Sequence, residues 1–562
     1  MEGTSMEKIL FLVPPNISGA DLLNPAPTAK VSLMASGRAV GSVITDMPLG
    51  VISISAYLKR ELDVDIRLVD FNVELNRIHD FTHASLAEYF RNYLEALPGD
   101  APTVIGISAL FSTAYRSLIE LGNTCRELFP RALIIAGGNV PTVSYRQIFL
   151  ETDAFHAICY GEGELPVYEL LTAEDREAHA GASPAWITRQ KALADQQPSH
   201  RFIEDLDEIP FDYSVIDCDD YEINPTIAYY TSHSTRGKSF NIMTSRGCPF
   251  RCIFCASHKT HGRDMRYQRL ERVKADIARV RCDLRVNTVT IEDDHFMGDK
   301  KRAFEIVKFI ADLGMTAFFP NSLALYALDY PMLRELKRAG VNQLVLAVES
   351  GSDRVLREVM HKPLKLDITR RVADDCRELG IYTDCNILIG LPGETKADIE
   401  DTRTFLRTVN ANWFRINVAT PLLGSEMYDI CEERSYFKGI AIEANYKKAV
   451  VETGDFTAEF IQQTTYDMNI DLNFVHNTDM RLGNYETAIR GFDNVFKAKP
   501  DHAIGMYYKA ICLARIGQGA AAAALHERAR QIAANGGFWL DYIERFHIPL
   551  FEDLPDRFAT AC

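Results

Sequence analysis

"SRGCPFRCIFCASH", residues 245 to 258, sets Cys248, Cys252 and Cys255 within eight positions of a chain whose other nine cysteines stand apart. Three soft ligands so close together need a partner. A disulfide pairs two of them, and a tetrahedral zinc site asks for a fourth ligand, which His258 could supply at Cys-x3-Cys-x2-Cys-x2-His spacing. An iron–sulfur cubane held by three thiolates leaves one iron open to a substrate-like ligand. The stretch directly follows an apolar run at 239 to 246, so it occupies the loop after a strand. Structural zinc staples small domains that lack a core, whereas the surrounding sequence is a long series of strand and helix patterns.

That series runs from 239 onward. Strands are expected at 239 to 246, 286 to 293, 316 to 321, 343 to 350, 383 to 390 and 414 to 420. Helical patterns fall between them at roughly 268 to 280, 299 to 313, 330 to 339, 367 to 379 and 396 to 408. Six βα units in succession predict a parallel barrel or most of one, with its chemistry at the carboxyl ends of the strands.

A separate βα series precedes it. "KILFLVPP" (8 to 15), "DIRLVDFN" (65 to 72), "TVIGISAL" (103 to 110), "RALIIAGGN" (131 to 139) and "AFHAICYGEGE" (154 to 164) read as buried parallel strands. This predicts a Rossmann-like, doubly wound α/β domain, whose ligands bind beyond the strand carboxyl ends. Those ends carry Ser108 to Leu110, Gly137 and Gly138, and Gly161 to Gly163. The division expected is a doubly wound domain over 1–171, a polar linker with some local structure over 172–235, a partial (β/α)6 TIM-like barrel over 236–445 and a helical region over 446–562. In that last region "RLGNYETAIRGFDNVFKAKPDH" (481 to 502) aligns with "RIGQGAAAAALHERARQIAANG" (515 to 536) at an offset of 34 residues. The period, with Gly483, Ala488, Phe492 and Pro500 at their places, resembles a tetratricopeptide repeat over about 474–536. A helical cap on the barrel is the alternative to a surface for a protein or carrier.

Composition narrows the partners. With 77 acidic against 61 basic side chains the chain carries a net charge of −16. It shows no basic block of the kind that neutralises a phosphate backbone, so no nucleic-acid partner is expected. No apolar run reaches the ~18 residues of a spanning helix, and the first residues resemble neither a signal nor a transit peptide. The expected location is the cytoplasm.

Taken with its setting, the cysteine motif, with Phe254 before its third cysteine, resembles the signature of the radical S-adenosylmethionine (radical SAM) superfamily. Four further segments over 239 to 425 resemble landmarks of that family: "IEDDHF" (291 to 296), "AVESGS" (347 to 352), "ILIGLPGET" (387 to 395) and "NVATPLLGSEMY" (417 to 428). The resemblance implies a [4Fe-4S] cluster on Cys248, Cys252 and Cys255. It implies S-adenosyl-L-methionine (SAM) contacts from Phe254, Glu292, Asp293, Asp294, Glu349, Ser350 and Leu391. "PLGVISISAYLKREL", "GISALFSTAYRSL", "ALIIAGGNVPT" and "YGEGE" resemble the cobalamin-binding domain of one large radical SAM class. This nominates Ser108, Leu110, Gly137, Gly138, Gly161 and Glu162 around the cofactor. The Asp-x-His-x-x-Gly motif that ligates cobalt elsewhere is absent: the loop after the first strand reads "PPNISGADLLNPAP". A front domain that only shapes the pocket is therefore the alternative.

The chemistry implied is reductive cleavage of SAM to a 5′-deoxyadenosyl radical, hydrogen abstraction from an unactivated carbon, and methylation of a small-molecule or biosynthetic intermediate. Cyclisation, ring contraction or rearrangement without methyl transfer is the alternative outcome, and a zinc-stabilised binding protein the remote one. A reductant such as flavodoxin or ferredoxin is implied as partner.

Overall fold

The computed structural model describes residues 6–25, 30–221, 238–438 and 448–554. It divides into two compact units: the first holds residues up to Asn321 with two short later pieces, and the second holds most of the remainder.

The first unit opens with a six-stranded sheet of β1 (Glu7–Val13), β2 (Val64–Asp70), β3 (Val104–Ser108), β4 (Leu133–Gly137), β5 (Ala157–Cys159) and β6 (Trp186–Ile187). The spatial order is β2-β1-β3-β4-β5-β6, parallel through β5 and antiparallel at β6. The Rossmann expectation is thus refined: the first five strands follow the flavodoxin-type order 2-1-3-4-5, whose direction reverses between β1 and β3. Helices α1 (Leu49–Glu61), α2 (Tyr115–Leu128), α3 (Asn139–Glu151) and α4 (Glu164–Thr172) connect and cover the strands. Strands covered on both faces read as continuous apolar runs, and Ile9, Phe11, Val104, Ile135 and Trp186 pack into one core cluster. Gly106 is required here, because a Cβ would stand 2.7 Å from the Phe11 ring.

The expected linker over 172–235 carries local structure. Its first part is structured: Trp186–Ile187 completes the sheet, and the fully buried indole donates to the Pro166 carbonyl at 3.3 Å. A two-residue strand carries too little periodicity to be seen in sequence. Residues 222–235 of the expected linker lie outside the described residues.

All six strands of the second series are present. β7 (Ser239–Ile242), β8 (Thr288–Ile291) and β9 (Thr316–Phe318) form a parallel sheet in the order β9-β8-β7 within the first unit. The intervening helices are α5 (Leu270–Asp283) and α6 (Lys300–Asp312). In the second unit β10 (Gln343–Glu349), β11 (Tyr382–Ile389) and β12 (Trp413–Val418) form another parallel sheet, in sequence order. Its helices are α7 (Leu366–Glu378) and α8 (Lys396–Leu406), the latter opened by a capping box between Thr395 and Asp398.

The second unit continues as helices: α9 (Ala458–Ile470), α10 (Tyr485–Ala498), α11 (Ala503–Arg515), α12 (Gly519–Ala534) and α13 (Gly537–Arg545). The 34-residue period has a structural counterpart. Gly483 and Gly517 both turn the chain with positive φ, at +77° and +82°, just before α10 and α12. Ala488 and Ala522, one turn on, are both buried.

Candidate functional site

The cysteine loop is closed at its base. Ser245–Arg246 pairs antiparallel with Arg266–Tyr267, so residues 247 to 265 leave and return at one point. Gly247 makes the exit with φ +94°, where a Cβ would collide with the Asp264 carbonyl oxygen. The Cys248 amide donates to Gly262 at 3.3 Å and the Cys255 amide to Cys252 at 3.1 Å, while Cys255 Sγ lies 3.3 Å from Ser257 Oγ. All three cysteines are half-buried and none is in a disulfide. Burial, above the neighbouring backbone donor and charges, pushes the Cys248 thiol up to about 11. A thiolate at that position therefore needs a cation to hold it. Among the described residues no three His, Cys, Asp or Glu side chains converge on a single metal ion. Thiols that each take a different iron need no such convergence.

The three acids after β8 separate into different environments. Asp293 is buried and its carboxylate is used internally: it accepts from the Thr244 amide at 2.6 Å, Thr244 Oγ1 at 2.7 Å and Ser245 Oγ at 2.6 Å. It anchors the strand that enters the cysteine loop. Asp294 is nearly enclosed, accepts from the Gly247 amide, and has a buried Oδ2 with no hydrogen-bond partner. Burial raises its pKa, against the opposing pull of His261 and Arg246. Glu292 turns the other way. The Asn241 side-chain amide donates to Glu292 Oε1 and to Asp46 Oδ1, each at 3.1 Å. Burial, then the charges of Asp46 and Asp293, push Glu292 up to about 8.

A cavity of about 840 Å³ lies within the first unit. From the doubly wound domain it is lined by Ser108, Leu110, Gly137, Gly138, Gly161 and Glu162, all expected at the strand ends. From the second series it is lined by Phe254, Cys255, Glu292 and Asp294, and from the loop before α1 by Asp46. Gly138 holds φ +91°, and a Cβ there would stand 2.7 Å from the Ala109 carbonyl oxygen, so no side chain fits between this turn and its neighbour. Leu110 is 51% exposed.

Glu162 lines the cavity but its carboxylate is committed elsewhere. It receives Arg246 Nη1 at 2.8 Å, Arg266 Nη1 at 3.0 Å and His261 Nδ1 at 2.9 Å. The Arg246 and His261 contacts hold it far below the ordinary carboxylate range, against the opposing effect of burial. It is thus an ion-pair centre at the cavity wall. In the second unit Glu349 is buried at φ +67° and accepts from Asn386 Nδ2 at 3.0 Å, with Lys362 at 3.8 Å. Ser350 Oγ meets Thr402 Oγ1 at 3.1 Å, and the buried Leu391 donates its amide to Glu394 at 3.2 Å.

The residues present fit the groups that such a fold would hold. Three soft donors on one closed loop and an unpartnered buried carboxylate oxygen beside them suit an iron–sulfur cluster and a ligand ammonium. Side-chain-free turns at Gly137 and Gly138 suit a bulky cofactor over the strand ends.

Comparison with known proteins agrees. The radical SAM superfamily profile matches residues 242–406, and the B12 binding domain profile matches residues 40–171. The chain thus joins a B12-binding domain to a radical SAM domain, the combination that matches the cobalamin-dependent radical SAM class. Its cofactors are a [4Fe-4S] cluster, SAM and cobalamin. This radical SAM chain is 24% identical over 463 residues to an uncharacterised methyltransferase of Pyrococcus horikoshii, covering 81% of this chain and 90% of that one. It is 24% identical over 407 residues to the cytidylyl-2-hydroxyethylphosphonate methyltransferase of Streptomyces wedmorensis, covering 66% and 75%. Among solved structures it shares the fold of TsrM, a radical SAM methyltransferase of Kitasatospora setae. The TM-score is 0.55 at 15% identity, covering 76% of this chain and 77% of that one. No helix among the described residues is long and apolar enough to cross a membrane.

Sequence reasoning missed Asp46, Asn241, Arg246, His261 and Arg266. The one local signal was position: Arg246 stands two residues before Cys248, and Asp46 two before Pro48, the residue that caps α1.

Proposed function

We propose that this enzyme transfers a methyl group to an unactivated carbon of a small-molecule or biosynthetic intermediate. The observation that carries the proposal is the cavity of about 840 Å³ in the first unit. It is bounded on one side by the glycine turns of the cobalamin-type domain and on the other by Phe254, Cys255 and Asp294. When bound, the cluster and SAM supply a 5′-deoxyadenosyl radical and the cobalamin supplies a transferable methyl group.

The chain's own residues position and exclude. Cys248, Cys252 and Cys255 hold the cluster as thiolates. Asp294, with its unpartnered oxygen, accepts from the SAM ammonium, and Phe254 supplies an apolar wall. On the family resemblance alone we also assign Glu349, Ser350 and Leu391 as SAM contacts. Ser108, Gly137 and Gly138 leave room for the corrin and its tail. Apolar lining from Phe11, Val13, Ile107 and Ile135 keeps water and stray hydrogen donors from the reacting carbon. A small electron-transfer protein such as flavodoxin or ferredoxin is the partner, and the cytoplasm the place. We read the 34-residue helical period as a tetratricopeptide-like module that contacts a carrier or protein.

The test is anaerobic turnover with methyl-labelled SAM and extracts or candidate substrates. The expected products are 5′-deoxyadenosine, S-adenosylhomocysteine and a labelled small molecule. Deoxyadenosine with an unlabelled, cyclised or rearranged product would replace methyl transfer with the alternative chemistry.

A further inference from the structure

We propose that Glu162 is a positioning residue that fixes the cysteine loop against the cobalamin-type domain and thereby couples the two cofactor sites. The inference rests on the reading above, in which the loop carries the cluster and the Gly161 turn borders the cobalamin.

Glu162 sits between Gly161 and Gly163 at the end of β5 and is only 5% exposed. Every group that meets its carboxylate by hydrogen bond comes from the cysteine loop or the strands that close it. Arg246 lies on the outgoing strand, Arg266 on the returning strand and His261 at the end of the short helix His258–His261. Arg246 also reaches Glu164 at 2.7 Å and Ser53 Oγ at 3.0 Å, and Ser53 donates to Glu164. Arg266 stacks over the Phe202 ring at 4.0 Å, and Phe202 stacks on His200, whose Nε2 lies 2.8 Å from the Lys259 carbonyl oxygen. Arg246, Arg266, Glu162 and Glu164 are buried charges that neutralise one another, an arrangement that tolerates little displacement of any one.

A second contact points the same way. At Gly161, φ +82°, a Cβ would meet the Thr260 carbonyl oxygen at 2.9 Å, so the loop backbone rests directly on the turn. Thr260 Oγ1 also donates to Asn139 Oδ1 at 3.2 Å, next to Gly138. The two glycine turns that border the cavity and the loop bearing the thiols therefore move as one body. Any ligand that shifts the Gly161 turn must shift the base of the cysteine loop, and the reverse holds with equal free energy.

The experiment measures hydroxocobalamin binding by visible spectroscopy in cluster-free and cluster-loaded protein, wild type and Glu162→Gln. It also records the electron paramagnetic resonance spectrum of the reduced cluster with and without cobalamin. In the wild type the two dissociation constants should differ by about fivefold or more, the lower end of ordinary coupling between sites, and cobalamin should shift the cluster signal. In Glu162→Gln the difference should shrink below about twofold, and the signal should no longer respond, while both groups still bind. If that variant does not fold, Arg266→Lys keeps the buried charges paired and loses the two-pronged contact, and is read in the same way. Unchanged coupling in a variant, or no coupling in a wild type that holds both groups, overturns the proposal. Failure to bind iron or cobalamin at all in the wild type would instead overturn the functional reading on which it rests.

Discussion

Glu292 offers a prediction whose size can be worked from the site. The residue follows β8, shares the Asn241 amide with Asp46, and is pushed from 4.5 to about 8 chiefly by burial. The folded protein thus keeps a proton that the unfolded chain has released between about pH 4.5 and 8. In that window the unfolded state binds fewer protons, so stability falls as pH rises and levels off above pH 8. The difference of 8 − 4.5 = 3.5 units, at about 1.36 kcal/mol each, amounts to about 5 kcal/mol across the whole window. Glu292→Gln keeps the shape and an acceptor for Asn241 but cannot ionise. Its stability relative to wild type should therefore climb by a little over 1 kcal/mol for each pH unit within the window. Urea unfolding of the cofactor-free proteins at intervals from pH 5 to 8.5 measures this as a widening gap between midpoints. Parallel midpoints across that range would refute the reasoning.

Asp293 and Asp294 should part company: Asp293→Ala leaves the Thr244 amide and two hydroxyls without their acceptor. It should lower the melting temperature by an amount equal to several kcal/mol. Asp294→Asn, by contrast, should melt near the wild-type temperature and lose SAM affinity in equilibrium dialysis. Gly138→Ala forces a side chain into the left-handed region, costing about 1–2 kcal/mol, and towards the Ala109 carbonyl oxygen. It should reduce cobalamin retention on a desalting column while leaving iron content unchanged.

The strands were legible because each is a continuous apolar run punctuated by glycine or proline, and all six of the second series lie where the runs predict. The cysteine motif was legible because its information is local. What escaped is what only folding brings together. Asp46 and Glu292 are far apart in sequence, yet one amide bridges them. Glu162 looked like a cofactor contact because it stands in a glycine turn, and only the arrival of Arg246, His261 and Arg266 reveals its charge partners. Asp293 and Asp294 are adjacent in an acidic run, and the sequence cannot say which one faces its own strand. The two-residue β6 was invisible for want of a period, so a structured edge read as linker.

The most direct test of the central claim is iron and cobalt analysis after anaerobic reconstitution, on the wild type and on the Cys248→Ala/Cys252→Ala/Cys255→Ala variant. The account predicts about four irons for each wild-type chain, one cobalamin, a cluster spectrum that changes when SAM is added, and no iron in the triple variant. A wild-type protein that takes up no iron, or a triple variant that keeps it, would contradict the account.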